Sequence, residues 1–489
     1  MDGGVHLGRR ITTGATWLIL QRFAIRIIGL LSTIILARLL VPADFGLVAL
    51  ATTLVTVLET LFELGFDLTL IQNQSADRKL YNTAWTLQVL RGAIAALILL
   101  AAAQPMALLY DEPRLFTIML WLSLVAFANG IQNIGIVEFR KDIKFDREFY
   151  LFVGGKLAGF VTTVTLALIW RDYHALIAGI VAGRLGILTL TYVMHPYRPW
   201  FSLENGRSFL HFSKWLALNN VVAVLKSRLD TFIVGKISGT AAVGFYNVGF
   251  EISNLTSSEL IWPVSRVLFP GFAKMSGDRA RLAQSFVDSI SVMVFLAVPL
   301  GVLVAIGAEQ IVHLFLGPKW LTVIPLIQIL TLYGLLSLPS ANTTALYLAL
   351  GRPDLVMWRN LPSVLILIPG LVISTRIYGI TGAAWAVVVS AGAGLAVNLW
   401  LLRRELDIGL RAFGVATWRP MIASLAMGAA LLYFQRYWPA DEDTLHLFLH
   451  LAAIGIAGVT LYLGCVLGLW VAQGRPSGAE KYALALVKR

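Results

Sequence analysis

Charged side chains recur at helical spacing inside stretches that are otherwise apolar enough to lie in hydrocarbon. In residues 17–71, Arg22 and Arg26 stand four apart before the short break Leu40-Val41-Pro42-Ala43-Asp44, and Glu59, Glu63 and Asp67 follow it at the same spacing. Residues four apart share one face of a helix. Counted from the break at 1.5 Å per residue, Arg26 and Arg22 lie about 18 and 24 Å deep, and Glu59 and Glu63 about 22 and 28 Å. A charge at the centre of a membrane helix costs at least ~2.5 to 3.5 kcal/mol, so each should face a partner or a watery cavity. Two kinds of chemistry fit: a polar interior that holds a charged ligand, or a buried ion-pair lock between neighbouring helices.

The same question attaches to Arg91, Lys156 and Arg184, which lie deep in later apolar runs, and to Lys226 and Arg228. Lys226 is four residues from Asp230 and can simply pair with it. Lys214, Arg266, Glu138 and Asp288 lie near helix ends, where long side chains reach the interface. Gln88, Asn129, Gln132, Asn133, Asn219, Asn220, Asn247, Asn254 and Asn342 crowd the same helices. Amides suit sugar hydroxyls and equally serve to bridge helices.

The elements that must carry these residues follow from composition. The 489 residues are 58% hydrophobic and only 13% charged, half the charge of an ordinary soluble protein. Apolar runs long enough to span ~30 Å of hydrocarbon recur from end to end, so the chain reads as an all-α, polytopic membrane protein. The run after Arg9 and Arg10 reads as an uncleaved first span. The single cysteine, Cys465, excludes disulfides and thiolate metal sites. Fourteen helices are predicted, near 12–37, 45–71, 81–108, 115–138, 149–169, 175–194, 208–235, 243–270, 284–306, 321–350, 357–375, 381–402, 420–434 and 445–472. Alternate connections hold Lys and Arg in the proportion 23 to 7, with Arg140, Lys141, Lys144, Arg147, Arg352, Arg359, Arg403, Arg404, Arg411 and Arg419 on the basic side. That bias predicts cytoplasmic termini and argues that the formal charge of +12 serves orientation rather than nucleic acid.

An internal repeat is visible at an offset of 198: Trp17 aligns with Trp215, Arg38 with Lys236 and Gly46 with Gly244. The predicted organisation is a first six-helix lobe at 1–194, a linker at 195–207, a second lobe at 208–402 in the same orientation, and two additional helices with a tail at 403–489. Parallel repeats of this kind are a transporter signature, with the site where the repeats meet.

The run ARLLVPADFG (37–46), the segment FELGFDLTLIQ (62–72) and FYNVGFEISNLTSSELIWPVSRVLFPGFAK (245–274) resemble corresponding segments of Wzx-type oligosaccharide flippases of the polysaccharide transport family. The resemblance covers nearly the whole chain and implies membership of the superfamily that also holds multidrug antiporters and the peptidoglycan-precursor flippase. It implies alternating access in a bacterial inner membrane and a substrate consisting of an oligosaccharide repeat unit on undecaprenyl pyrophosphate. Membrane lipids, a polysaccharide polymerase and other glycan-assembly proteins are the implied partners. Pyrophosphate needs cationic donors, and guanidinium groups hold its oxygens bidentately, so Arg22, Arg26, Arg91, Lys156, Arg184, Lys226 and Arg228 are the candidate substrate-binding residues. Glu59 and Glu63 are candidates for proton or cation coupling, because a carboxylate beside arginines can exchange one charge partner for another.

No cofactor, metal or catalytic signature emerges. Gly155-Lys156 has Tyr150 and Leu157 where a P-loop needs Gly and Ser or Thr, and Gly235-Lys236 has Asp230 and Ile237. His446 and His450 form the one i,i+4 pair and lack a third ligand. A multidrug or peptidoglycan-precursor transporter of the same superfamily is the alternative, the antiporter expecting an acidic and aromatic cavity. A membrane glycan ligase or glycosyltransferase is the enzymatic rival. It expects a large outer loop with catalytic residues, where 307–320 offers only Glu309, His313 and Lys319.

Overall fold

The computed structural model describes residues 2–63, 65–73, 77–204, 206–275, 277–438, 443–476 and 478–481. Every regular element among them is helical. Ten of these helices are long and apolar enough to cross a membrane, or eleven if the bent pair Arg114–Gly130 and Ile134–Lys141 is one span. Large apolar side chains stand exposed along them, among them Leu97, Leu108, Ile169, Val193, Leu425 and Ile456. A surface of that kind is stable in lipid and not in water. The chain is a multi-pass membrane protein.

Two compact units divide the chain, residues 1–244 and 245–489. The first holds α1 (Asp2–Leu39), α2 (Pro42–Leu61), α3 (Phe66–Gln72), α4 (Arg78–Leu109), α5 (Arg114–Gly130), α6 (Val137–Lys141), α7 (Phe145–Trp170), α8 (Tyr173–Met194) and the start of α9 (Gly206–Met275). The charged breaks of the sequence act here as caps. Asp77 accepts from the Leu80 amide at 2.9 Å to start α4, and Asp172 from that of His174 at 3.0 Å to start α8. Pro42 stands in the first turn of α2, where its fixed φ suits the helix and its missing N–H costs nothing.

Close approaches of glycine draw the first unit together. On α7 and α8, a Cβ on Gly159 would lie 2.9 Å from the carbonyl oxygen of Gly179, and one on Gly155 would lie 3.1 Å from that of Gly183. Small residues let membrane helices meet backbone to backbone, so dispersion takes the place of the missing hydrophobic drive. Gly46 of α2 and Gly244 of α9 also meet, within the same unit. A Cβ on Gly46 would lie 1.7 Å from the Thr240 carbonyl oxygen, and one on Gly244 would lie 1.9 Å from that of Pro42. The contact is reciprocal, and both pairs, 46 with 244 and 42 with 240, are 198 residues apart. The helix breaks follow the same offset: Val41 is extended before α2, and Gly239 interrupts α9 with φ 82° and ψ 177°.

The second unit contains the rest of α9, then α10 (Arg279–Ile306), α11 (Ala308–Ile311), α12 (Val323–Ala349), α13 (Pro353–Leu406, interrupted at Gly379), α14 (Leu410–Tyr437) and α15 (Thr444–Ala472). Phe286, Tyr347 and Leu402 pack α10, α12 and α13 into one core, while Phe295, Met427, Ile454 and Tyr462 join α10, α14 and α15 in another. Two arginines counted as loop charges are buried inside this unit. Arg359 donates to the Ser340 carbonyl and to Thr344 Oγ1, and Arg419, 5% exposed, pairs with Glu480, 1% exposed, at 3.2 Å. Helices that begin at Pro353 and Leu410, earlier than predicted, carry both residues inward.

Two predicted helices are broken. The expected 45–71 span ends at Leu61 and restarts at Phe66, because Gly65 takes a left-handed conformation at φ 70°. Glu63 therefore sits in the break, and Glu59, Glu63 and Asp67 form no continuous helical stripe. The expected 115–138 span ends at Gly130 and bends by 60° into Ile134–Lys141. Lys214, Asn219, Asn220, Glu259 and Arg266 have side chains outside the described residues.

Candidate functional site

The two helix breaks in the first unit open a cavity of about 570 Å³ between the ends of α2 and α5, the short helices α3 and α6, and the flanks of α4 and α8. Its walls carry three carboxylates, Glu59, Glu63 and Asp67, and three guanidinium groups, Arg91, Arg140 and Arg184. Gln88, Asn129, Gln132, Asn133 and Thr60 complete the polar lining. The cavity exists because broken helices leave space, and broken helices leave carbonyls to be satisfied. Gln88 meets that need: its Nε2 lies 3.2–3.3 Å from the carbonyl oxygens of Asn129, Gly130 and Gln132, at the end of α5. Asn133 does similar work, donating to the Tyr197 carbonyl at 2.7 Å and accepting from the Gly135 amide at 3.0 Å. Gln88 thus bridges α4 and the end of α5, one of the two roles the sequence left open for these amides.

The charges divide into engaged and free. Glu59 accepts from Asn129 Nδ2 at 2.6 Å and lies 4.0 Å from Arg184 Nη2, at the limit of an ion pair. Arg140 is held twice, by Glu148 at 2.5 Å and by Asp67 at 3.4 Å. The Arg91 side chain makes no hydrogen bond or ion pair with any described residue, although it lines the cavity. Its position is fixed one residue away, where Gly92 crosses Gly130 so closely that a Cβ would lie 2.6 Å from the Gly130 Cα. Arg91 is thus a guanidinium held at a cavity wall with its donors unspent.

A second cavity of about 480 Å³ lies between α1, α2, α7 and α8, lined by Ile25, Leu36, Val48, Phe160, Ile180 and Ile187 among other apolar groups, and by Lys156 and Arg184. Arg184 lines both cavities. Of the sequence candidates, Glu59, Glu63, Arg91 and Arg184 are brought together in the first cavity, and Lys156 joins Arg184 in the second. Arg22 and Arg26 are half-buried on α1 and lie in neither lining, although Ile25 between them reaches the second cavity. Trp17, packed edge-on against Phe149 at 5.1 Å, seats α1 on α7. Lys226 and Arg228 are half-buried on α9, outside both linings. Sequence reasoning missed Arg140, which it assigned to a loop. It also missed the spacings Gly155-x3-Gly159 and Gly179-x3-Gly183, legible as close-packing signals.

Fold and site together define a multi-pass helical membrane protein with a charged cavity inside its first unit. The sequence profile described as "Polysaccharide biosynthesis protein" matches residues 35–325, and the chain belongs to that family. It is 25% identical to the lipopolysaccharide biosynthesis protein WzxC of Escherichia coli (strain K12), with 86% of this chain and 87% of the relative covered. It is 22% identical to the teichuronic acid biosynthesis protein TuaB of Bacillus subtilis (strain 168), with 93% and 95% covered. Among solved structures it resembles the lipid II flippase MurJ in an inward closed conformation, with TM-score 0.75, 15% identity, and 93% and 99% of the two chains covered. An inward-facing multidrug resistance MATE family transporter matches with TM-score 0.56, 15% identity, and 78% and 94% covered.

Proposed function

We propose that this protein is an alternating-access flippase that moves an undecaprenyl-pyrophosphate-linked oligosaccharide repeat unit across a bacterial inner membrane for surface polysaccharide assembly. It is a transporter, not an enzyme. The observation that carries this reading is the free guanidinium of Arg91 on the wall of a 570 Å³ cavity, with Arg184 only loosely engaged beside it. A diphosphate offers the oxygens such forked donors lack, and a cavity whose three carboxylates are matched by three arginines differs from the acidic one an antiporter of cationic drugs needs. The family and the relatives named for lipopolysaccharide and teichuronic acid biosynthesis support a glycan substrate.

The architecture that goes with it is two six-helix lobes, at 1–194 and 208–402, followed by two further helices. The reciprocal Gly46–Gly244 contact and the matched breaks at Val41 and Gly239 support the repeat. Fourteen spans result when the bent α5–α6 pair counts as one and α9 and α13 as two each, divided at Gly239 and Gly379. Arg91 and Arg184 hold the diphosphate in the state described here. Arg22, Arg26, Lys156, Lys226 and Arg228 engage it in other states of the cycle. Glu59 and Glu63 couple transport to a proton or cation, Glu59 by exchanging Arg184 and Asn129 as partners.

The test is transport of a lipid-linked oligosaccharide into proteoliposomes, read as the fraction of head groups protected from an external glycosidase. Arg91→Gln should abolish most protection and Arg91→Lys should restore part of it. Wild-type transport by Arg91→Gln would remove the head group from this cavity.

A further inference from the structure

The two cavities of the first unit differ in chemistry and share one residue. The first is lined by six charged side chains, while the second is a slot walled by Ile25, Leu36, Val48, Phe160, Leu176 and Ile180. Three hydroxyl residues also line the slot, and two are spent on their own helices. Thr52 donates to the Val48 carbonyl at 2.7 Å and Thr163 to that of Gly159 at 2.8 Å. A hydroxyl turned back onto its helix leaves its methyl group to the cavity. Beyond Leu36 the packed cluster of Leu36, Leu40, Ala167 and Ala175 closes that end. From Leu176 to Arg184 the slot follows α8 for about 12 Å, at 1.5 Å per residue. The charges in its lining, Lys156 and Arg184, are both positive, and Arg184 also lines the polar cavity.

An apolar slot that shares the cationic Arg184 with a polar chamber has the polarity of one class of ligand, an anionic lipid with its phosphate at the shared residue. Resting on the flippase reading above, we infer that the slot between α1, α2, α7 and α8 holds the phosphate-proximal hydrocarbon of the lipid-linked substrate, with Arg184 at the diphosphate and the glycan in the polar cavity. The backbone contacts of Gly155, Gly159, Gly179 and Gly183 fix one wall of the slot, so its width is set by the fold rather than by the ligand. The substrate is then read at its lipid–phosphate junction, which repeat units of any sugar composition share.

The full chain carrying a benzophenone amino acid at Phe160, in the slot, or at Gln132, in the polar cavity, tests this. The probes are a radiolabelled polyprenyl diphosphate bearing one hexose, a polyprenol of equal length, and phosphatidylglycerol. The hexosyl lipid should label both positions, and at 160 at least fivefold more than either of the other lipids. Arg184→Gln should cut its labelling at 160 by fivefold or more without changing the low labelling by polyprenol. Labelling at 132 without labelling at 160 would overturn the slot while leaving the flippase reading intact. Equal labelling at 160 by phosphatidylglycerol would make the slot a site for ordinary bilayer lipid. Labelling at neither position would count against both readings.

Discussion

At the scale of the residue, the distinction that matters is between charges the fold has spent and charges it has kept. Arg140 is spent: Glu148, whose side chain is 7% exposed, depends on it for a counter-charge. Arg140→Gln should destabilise the protein by roughly 1–3 kcal/mol, less than a fully buried pair would lose because Arg140 itself is partly solvated. Thermal unfolding in detergent reads that loss. Arg91 is kept, so Arg91→Gln should leave thermal stability near wild type and reduce transport about tenfold to a hundredfold, from the ~1.5–3 kcal/mol of hydrogen bonds to a charged group. A variant that lost stability and transport together would assign Arg91 a structural role. Outside the spans, Glu112 shows the pH sign. Its hydrogen bonds to Arg114 at 2.7 and 2.8 Å hold its carboxyl below the usual range. That stabilisation is full above the ordinary carboxylate pKa and fades as the pH falls through the lowered one. The stability gap between wild type and Glu112→Gln should therefore close on acidification. The sequence revealed which residues are charged at depth. It did not reveal which are free, because pairing depends on where α3 and α6 bring Asp67 and Arg140, and no spacing along the chain encodes that.

At the scale of the element, apolar runs located the helices and failed to locate their interruptions. Hydropathy measures the cost of transfer into lipid, whereas a break is a failure of backbone hydrogen bonding, and an apolar run can contain one unseen. Gly65 and Gly130, inside predicted spans, were the legible warnings: one adopts positive φ and the other ends α5 against α4. These breaks make the cavity, so the least predictable feature of the helices is the one that builds the site. The Gly46–Gly244 crossing was legible in its positions, since the repeat paired these residues, but not in its contact. Adding one carbon there tests the packing. Gly46→Ala and Gly244→Ala each force a Cβ onto a carbonyl oxygen and should lower stability by about 1–3 kcal/mol, the usual range for overpacking. Gly29→Ala meets nothing within 4 Å and should leave stability unchanged or raise it by up to about 1 kcal/mol. Equal effects at all three positions would mean that α2 and α9 do not meet as described.

At the scale of the whole molecule, orientation decides what the cavity is for. It lies at the ends of α2 and α5 that lead into α3 and α6, on the side where the sequence concentrates lysine and arginine. If that side is cytoplasmic, the cavity faces the compartment in which lipid-linked repeat units are made, and a head group can enter it directly. If the molecule were inverted, the same cavity would face the wrong compartment for loading, and the proposed direction of transport would fail with it. The positive-inside bias rests on many loops at once, so one misassigned arginine does not change its sign, and the burial of Arg359 and Arg419 leaves it standing. Single cysteines in a Cys465→Ala background decide the matter at three exposed positions, Lys144, Arg411 and Lys319. With fourteen spans and cytoplasmic termini, a membrane-impermeant maleimide added to intact spheroplasts should label Lys319→Cys alone, and all three should label after lysis. Labelling of Lys144→Cys in intact spheroplasts would invert the molecule and close the route from the cytoplasm into the cavity. Labelling of Arg411→Cys without Lys144→Cys would instead reveal an odd number of spans between them, in place of the eight that fourteen spans require.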